Sequence, residues 1–178
     1  FWPTDICNFN CAYCFPGSTS GKYKYSDVNI ALEKFKSIFA QYNKSKYNIT
    51  IAGGGEPTLW PKLEYFCKEI KTVADVRITL VSNGSRTLRW WNDNAKYIDE
   101  AVLSCHVQDV NIDHFIEVAD SLYKSGTEVL AMMLMDAQDW DRCVTYLNKM
   151  LASNFPWKKQ TKEVLSTQVA DIQVATQL

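Results

Sequence analysis

Three cysteines lie within eight residues of one another in the segment CNFNCAYC: Cys7, Cys11 and Cys14. The other three, Cys67, Cys105 and Cys143, are scattered singly along the chain. Disulfide-rich domains are short and poor in core, whereas this chain has 178 residues, of which 47% are hydrophobic. Clustered thiolates in a reducing compartment bind metal or carry out redox chemistry. The spacing therefore indicates a metal or redox centre in a cytoplasmic protein.

Three thiolates at this spacing can face one centre from a single loop, and their chemistry narrows the metal. A structural zinc site takes four protein ligands, and the only histidines, His106 and His114, are distant in sequence. A catalytic zinc with one open position favours histidine and carboxylate ligands. Iron–sulfur clusters favour thiolates, and a four-iron cluster held by three cysteines leaves one iron open to a small molecule. The remaining alternative is three incidental cysteines.

Two further segments combine glycine with polar side chains after short apolar runs. Residues 53–57 (GGGEP) follow the run NITIAG, and residues 82–84 (SNG) follow VRITLVS. Glycines allow close approach of the backbone to a ligand, and Glu56 supplies negative charge. Ser82 and Asn83 offer a hydroxyl and an amide. Taken alone, GGGEP is better explained as a plain turn between a strand and a helix, and SNG is a common turn sequence.

The next two apolar runs also end in polar residues. Ser104 and His106 end AVLSCH, where strand alternation places both side chains opposite Cys105. Asp136 follows EVLAMMLM. For His106, a structural histidine bonded to a neighbour is as good an interpretation as a ligand-binding one.

The apolar periodicity predicts an alternation of strands and helices. Helices are predicted at residues 26–41, 61–73, 87–95, 112–124 and 140–151. Strands are predicted at residues 1–6, 48–53, 76–82, 101–106 and 128–135, with one more at 163–169. This order predicts an α/β fold with a parallel sheet, closed as a barrel or open and doubly wound. In either case ligands bind beyond the carboxyl ends of the strands, where all the polar segments fall.

Composition excludes several functional classes. The formal net charge is −1, which argues against a nucleic-acid footprint and against an anionic membrane surface. No apolar run is long enough to span a bilayer. The chain starts at Phe1 rather than Met, so we expect it to be processed or truncated at its N-terminus. Residues 1–178 are predicted to form one domain.

The three motifs, in this order, resemble those of the radical S-adenosylmethionine (SAM) enzyme superfamily. CNFNCAYC is similar to the family's C-x3-C-x-aromatic-C loop, with Tyr13 in the aromatic position. GGGEPTL at 53–59 resembles its Gly-Gly-Glu-Pro segment, and SNG follows the next strand. The resemblance implies a partial (βα)6-type TIM barrel with parallel strands. It covers most of the chain except its last twenty or so residues.

The resemblance also implies a chemistry. Cys7, Cys11 and Cys14 would ligate three irons of a [4Fe–4S] cluster, and SAM would chelate the fourth. The reduced cluster would cleave SAM to methionine and a 5′-deoxyadenosyl radical, which would abstract hydrogen from the substrate. The residues expected to contact SAM are Tyr13, Gly53, Gly54, Gly55, Glu56, Ser82, Asn83, Ser104 and His106.

The resemblance further implies partners. We expect an organic substrate, either a peptide or a small metabolite, and an electron donor such as flavodoxin or ferredoxin. Many members carry a later glycine-rich segment, and residues 164–175 contain no glycine. Many also carry a C-terminal extension, so we expect this chain to be a minimal core, a truncated piece, or one that uses a partner protein as a lid. An iron–sulfur carrier or redox sensor without SAM turnover, and a zinc-binding structural module, remain alternative functions.

Overall fold

The computed structural model describes residues 1–14, 25–153, 156 and 158–164. Five helices and five strands alternate there: α1 (Val28–Tyr42), β1 (Tyr47–Ile51), α2 (Leu63–Val73), β2 (Val76–Ser82), α3 (Leu88–Asn94), β3 (Glu100–Cys105), α4 (Ile112–Lys124), β4 (Glu128–Asp136), α5 (Trp140–Ala152) and β5 (Lys158–Val164). Short 3₁₀ turns at Pro57–Leu59, Ala95–Tyr97 and Ala137–Asp139 follow β1, α3 and β4.

All five described strands pair in parallel in one sheet, in the order β1-β2-β3-β4-β5. A doubly wound sheet would reverse its strand order at a switch point, and this order does not reverse. The sheet is therefore an arc of a βα barrel. Among the described strands, β1 and β5 form its two edges, so the barrel is partial, as predicted.

The two faces of the sheet have different surroundings. In β2 and β3, buried and half-buried residues alternate strictly. The buried set, including Leu80, Leu103 and Cys105, lies under the helices with Phe66 of α2 and Phe115 of α4. The alternate residues face the inside of the arc. Because the period of a strand is two, this alternation decides which side chains reach the interior.

The three scattered cysteines belong to the buried part of the protein. Cys67 in α2, Cys105 in β3 and Cys143 in α5 are free thiols that are almost fully shielded from solvent. All three therefore pack in the core, away from the cysteine cluster at residues 7–14. Among the described residues, no helix combines the length and apolar character needed to cross a membrane.

The N-terminal segment differs from its prediction as a regular strand. The Phe1 amino group donates to the Thr50 carbonyl oxygen and Ala52 N donates to the Phe1 carbonyl oxygen, which begins a parallel ladder with β1. Pro3 has no N–H and cannot continue this ladder. The chain then follows the loop after β1 through isolated bonds, such as Glu56 N to Ile6 O at 2.8 Å.

The last strand was predicted too late in the sequence. β5 begins at Lys158 and pairs with β4 from Leu130 to Asp136, whereas the prediction was 163–169. Residues 165–169 lie outside the described residues. The sequence KKQTKEV is polar, so an apolar-run criterion misses it. Lysines are typical of edge strands, where charge opposes further pairing.

Candidate functional site

All twelve predicted site residues line one cavity of about 460 Å³ at the carboxyl ends of the strands. They come from the segment before α1 and from the ends of β1, β2 and β3. The structure thus brings all of them to one rim of the sheet. Their roles as ligands of a cluster or of SAM are not tested by this placement and stay predictions.

The cysteine loop, residues 7–14, carries the three thiols without regular secondary structure. A turn closes it, with Cys14 N donating to the Cys11 carbonyl oxygen at 3.0 Å. Cys7, Cys11 and Cys14 are all half-buried free thiols. Three thiols on one short turn can each reach a different corner of a small cluster, whereas a helix or strand would direct them apart.

Polar side chains from two strand ends fasten the cysteine loop. On the β2 side, Asn83 Nδ2 donates to Asn8 Oδ1 at 3.1 Å, and Asn8 Nδ2 donates to Ser85 Oγ at 3.0 Å. On the β3 side, Ala12 N donates to Gln108 Oε1 at 2.9 Å. These bonds fix the loop over the mouth of the sheet.

The environment of the thiols is partly buried and partly acidic. Cys7 Sγ accepts a hydrogen bond from Phe9 N at 3.4 Å. Burial raises the pKa of the Cys7 thiol, and burial together with the nearby Asp109 raises the pKa of Cys11 to about 12. Without a cation the thiols of Cys7 and Cys11 are therefore protonated, and binding of positively charged iron would have to displace their protons.

The arrangement of donors discriminates between kinds of metal centre. The cysteine loop brings three thiols to the cavity. A structural zinc site takes four protein ligands, whereas a four-iron cluster takes one thiolate at each iron and can leave one iron to a small molecule. The thiol-only donor set therefore fits an iron–sulfur cluster better than zinc.

Glu56 is a deeply buried acidic residue of the cavity, with 3% of its surface exposed. Its Oε1 accepts hydrogen bonds from Thr58 N at 3.1 Å, Thr58 Oγ1 at 2.7 Å and Ser82 Oγ at 2.7 Å. Its Oε2 accepts from Asn83 N at 2.7 Å. Burial raises the pKa of Glu56 although these four donors oppose the shift. We call Glu56, Thr58, Ser82 and Asn83 the Glu56 network.

The Glu56 network changes the interpretation of the strand-end motifs. Ser82 Oγ donates to Glu56 and accepts from Gly84 N, while Asn83 Oδ1 accepts from Ser85 N at 3.0 Å. The polar groups predicted to bind a ligand thus bind one another first. They tie the end of β1 to the end of β2 and, through Asn8, to the cysteine loop.

The glycines of the GGGEP segment are needed for packing against the N-terminal segment. A Cβ atom on Gly53 would overlap the indole ring of Trp2, and one on Gly55 would overlap the backbone of Asp5 and Ile6. Sequence reasoning explained these glycines by close approach of a ligand. The structure shows a close approach of the chain preceding Cys7, which brings the cysteine loop to the cavity.

His106 lies against the cysteine loop. Its Nδ1 is 3.3 Å from Cys11 Sγ and 3.0 Å from Tyr13 Oη, and its ring stacks on that of Tyr13 at an interplanar angle of 12°. Burial lowers the pKa of His106 to about 4, so the imidazole is neutral at neutral pH. Ser104 lines the cavity beside it and makes no side-chain hydrogen bond to another described residue.

Several residues around the site carried no usable sequence signal. Phe9, Val81 and Leu134 give the cavity apolar walls, and Lys162 of β5 adds a cation at its rim. Lys162 was missed because its strand was predicted too late. Gln108 lies in a turn after β3, and nothing in its neighbours indicates a role.

The sequence matches a family model described as "Radical SAM superfamily" over residues 3–150. Over 148 residues the chain is 26% identical to an S-adenosylmethionine-dependent nucleotide dehydratase from a Thermoplasmatales archaeon (strain ISO4-H5), covering 75% of this chain and 51% of that protein. Over 88 residues it is 38% identical to a protein named GTPase Obg from Brachyspira hyodysenteriae, covering 47% of this chain and 13% of that protein. The chain has no G-x-x-x-x-G-K-[ST] segment of the kind that binds GTP phosphates.

A solved structure has the same fold. The structure of anSMEcpe with bound AdoMet (SAM) and a Cp18Cys peptide superimposes with a TM-score of 0.70 at 18% identity, covering 92% of this chain and 50% of that one. Likeness at this identity concerns the fold, which is that of a TIM-barrel-like radical SAM enzyme. The chain spans about half or less of the length of these relatives.

Proposed function

Because the chain belongs to the radical SAM superfamily, we propose that it forms the core of an enzyme that cleaves SAM reductively and abstracts hydrogen from an organic substrate. The superfamily uses a [4Fe–4S] cluster and SAM, which supply the electron and the 5′-deoxyadenosyl radical when bound. One observation supports the proposal above the others. Residues from four separate segments, chosen from sequence motifs alone, line the same cavity.

The cysteines and the cavity walls have distinct tasks in this proposal. Cys7, Cys11 and Cys14 would hold three irons as thiolates. The apolar side chains of Phe9 and Leu134 line the cavity and would shield the reacting groups from water, which matters because a primary alkyl radical reacts with whatever it meets. The proposal therefore assigns ligation to the loop and shielding to the strands.

The remaining cavity residues bind and orient. The hydroxyl of Ser104, which has no hydrogen-bond partner among the described residues, and the backbone groups of residues 53–55 are available for the polar groups of SAM. Glu56 acts mainly through its network, holding the ends of β1 and β2 at a fixed separation. Neutral His106 adds no positive charge beside Cys11 and packs Tyr13 in place.

The substrate in this proposal is a peptide or a small metabolite. Two observations support this substrate class: the net charge of −1 gives no nucleic-acid footprint, and the relative compared above is named for a nucleotide substrate. A reductant such as flavodoxin or ferredoxin would deliver the electron. Cytoplasmic location follows from the same proposal, because exposed clusters and free thiols persist in a reducing compartment.

Anaerobic reconstitution tests the proposal. The 178-residue chain is incubated with iron, sulfide and a thiol, and protein-bound iron and sulfide are then counted. We expect the two in equal amounts, an electron paramagnetic resonance signal of a reduced cluster, and release of 5′-deoxyadenosine from SAM with dithionite. Cys11→Ala should abolish all three signals. Cys67→Ala is the matched control, because Cys67 is buried in α2 away from the cavity.

The outcomes separate the alternatives. A cluster that forms but releases no 5′-deoxyadenosine would indicate an electron carrier or redox sensor. Iron-free protein that instead retains zinc would indicate a structural module. Cluster retention in Cys11→Ala, or iron loss in Cys67→Ala, would contradict the ligand assignment.

A further inference from the structure

The side-chain amide of Gln108 bridges the cysteine loop and the end of β4. Its Oε1 accepts from Ala12 N at 2.9 Å, and its Nε2 donates to Asp136 Oδ2 at 3.0 Å. Asp136 is 2% exposed and its other oxygen, Oδ1, accepts from Gln138 N at 3.0 Å. Three segments that are far apart in sequence thus meet through one amide.

The chemistry of the two neighbours fixes the orientation of this amide. A backbone N–H can only donate and a carboxylate oxygen accepts, so Gln108 must turn its oxygen to Ala12 and its nitrogen to Asp136. Asp136 in turn is held by Gln138 N. The bridge is therefore directional, and reversing the amide would leave both of its contacts mismatched.

The position of Ala12 gives the bridge its significance. Ala12 lies between Cys11 and Cys14, so anchoring its N–H fixes the turn that separates these two thiols. Asp109 adds a second anchor, because its Oδ2 accepts from Asn10 N at 3.1 Å. These two bonds hold the cysteine loop to the turn that follows β3.

We propose that Gln108 is a positioning residue that sets the spacing of Cys11 and Cys14 through Ala12, with Asp136 fixing the direction of its amide. This inference rests on the proposed cluster site. Gln108 does not ligate iron. It lowers the cost of bringing the thiols into the geometry of a cluster, because the loop is ordered before the cluster arrives.

A reciprocal exchange of amide and acid tests the bridge. In Gln108→Glu, a carboxylate still accepts from Ala12 N but faces Asp136 acceptor to acceptor. In Asp136→Asn, the new side chain has one oxygen and one NH₂ group. If its oxygen still accepts from Gln138 N, its NH₂ group faces the NH₂ group of Gln108. If the amide is turned round, Gln138 N loses its acceptor. The double variant, which combines the two substitutions, restores every bond. The carboxylate introduced at position 108 then accepts from Ala12 N with one oxygen and from the NH₂ group introduced at position 136 with the other. The amide oxygen at position 136 accepts from Gln138 N.

The principal readout is the rate at which a chelator removes iron from the reconstituted chain. Each single variant should lose iron about tenfold faster than the wild type, since one mismatched hydrogen bond is worth roughly a factor of ten. The double variant should return to within about twofold of the wild-type rate. Gln138→Glu is the matched control, because it makes the same change on an exposed side chain nearby.

A second readout does not depend on iron. Hydrogen exchange at the Ala12 amide of the cluster-free chain should accelerate in both single variants and recover in the double variant. If the wild type takes up no cluster, the proposed function fails while this measurement still decides the bridge. The inference would be overturned if the single variants exchanged the Ala12 amide and lost iron at the wild-type rates, or if these rates did not recover in the double variant. So would iron loss that merely follows a lower melting temperature of the cluster-free chain.

Discussion

Replacing Glu56 by Ala should destabilise the protein more than any exposed acidic substitution. The carboxylate is 3% exposed and accepts four hydrogen bonds, two from backbone N–H groups and two from hydroxyls. The hydroxyls of Thr58 and Ser82 can rotate toward other acceptors. The N–H groups of Thr58 and Asn83 cannot, because their directions are fixed by the backbone.

The size of the effect follows from these two N–H groups. A buried donor left without a partner costs about 1–3 kcal/mol, so Glu56→Ala should lower the free energy of unfolding by roughly 2–6 kcal/mol. Glu56→Gln keeps the acceptor at the Oε1 position but presents an NH₂ group to Asn83 N. One mismatched N–H then predicts a loss of about 1–3 kcal/mol.

Urea unfolding of the cluster-free chain under anaerobic conditions measures both values. Glu117→Ala, on the exposed face of α4, is the control and should stay within about 0.5 kcal/mol of the wild type. A Glu56→Ala variant as stable as this control would refute the network argument. Equal losses in the Ala and Gln variants would show that the acceptor at Oε1 contributes nothing.

The pH dependence of the same pair of proteins gives an independent check. Burial raises the pKa of folded Glu56 above its ordinary value of 4.5. The contribution of the carboxyl group is therefore complete below pH 4.5 and is lost as the pH rises through the raised folded pKa. The unfolding free energy of the wild type minus that of Glu56→Gln should fall as the pH rises above 4.5. A difference that grows instead would mean that the four hydrogen bonds outweigh burial.

Two further predictions concern other parts of the cavity. Gly55→Ala should cost about 1–3 kcal/mol and reduce iron uptake, since its Cβ would overlap the backbone of Asp5 and Ile6. Gly126→Ala, at φ +89° with open space around it, should cost about 1–2 kcal/mol from backbone strain alone and leave iron uptake intact. Normal iron uptake in Gly55→Ala would contradict the packing role. For His106, an NMR titration should give a pKa of about 4, lowered by burial from 6.5. Its stabilising contribution relative to His106→Gln should be full above pH 6.5 and decline as the pH falls toward 4, and a ring that titrates near 6.5 would contradict its burial.

Elements with strong local signals could be predicted from the sequence. Helix α4 was predicted at 112–124, as observed, from its apolar periodicity and from Gly126, which adopts a positive φ just after the end of the helix. Strand β2 was likewise predicted with its observed bounds. Helix caps and strand alternation involve residues close in sequence, so they can be recognised without knowledge of the fold.

Elements that depend on pairing with a strand distant in sequence could not be predicted. β5 is a polar strand that exists because β4 offers it a free edge. The segment before Cys7 lacks a regular ladder because Pro3 interrupts it, although its apolar residues suggested a strand. In both cases the deciding contact is with a partner strand, which periodicity does not identify.

The sequence by itself determined which residues gather at one rim of the sheet: the three thiols, the glycine-rich turn and the polar strand ends, which parallel strands bring together. Only the tertiary structure decided what these residues touch. Glu56 and Asn83 are 27 residues apart and Ala12 and Gln108 are 96 apart, so no local pattern couples them. Their contacts arise because adjacent parallel strands align their ends, and buried polar groups must then find partners among whatever side chains meet there.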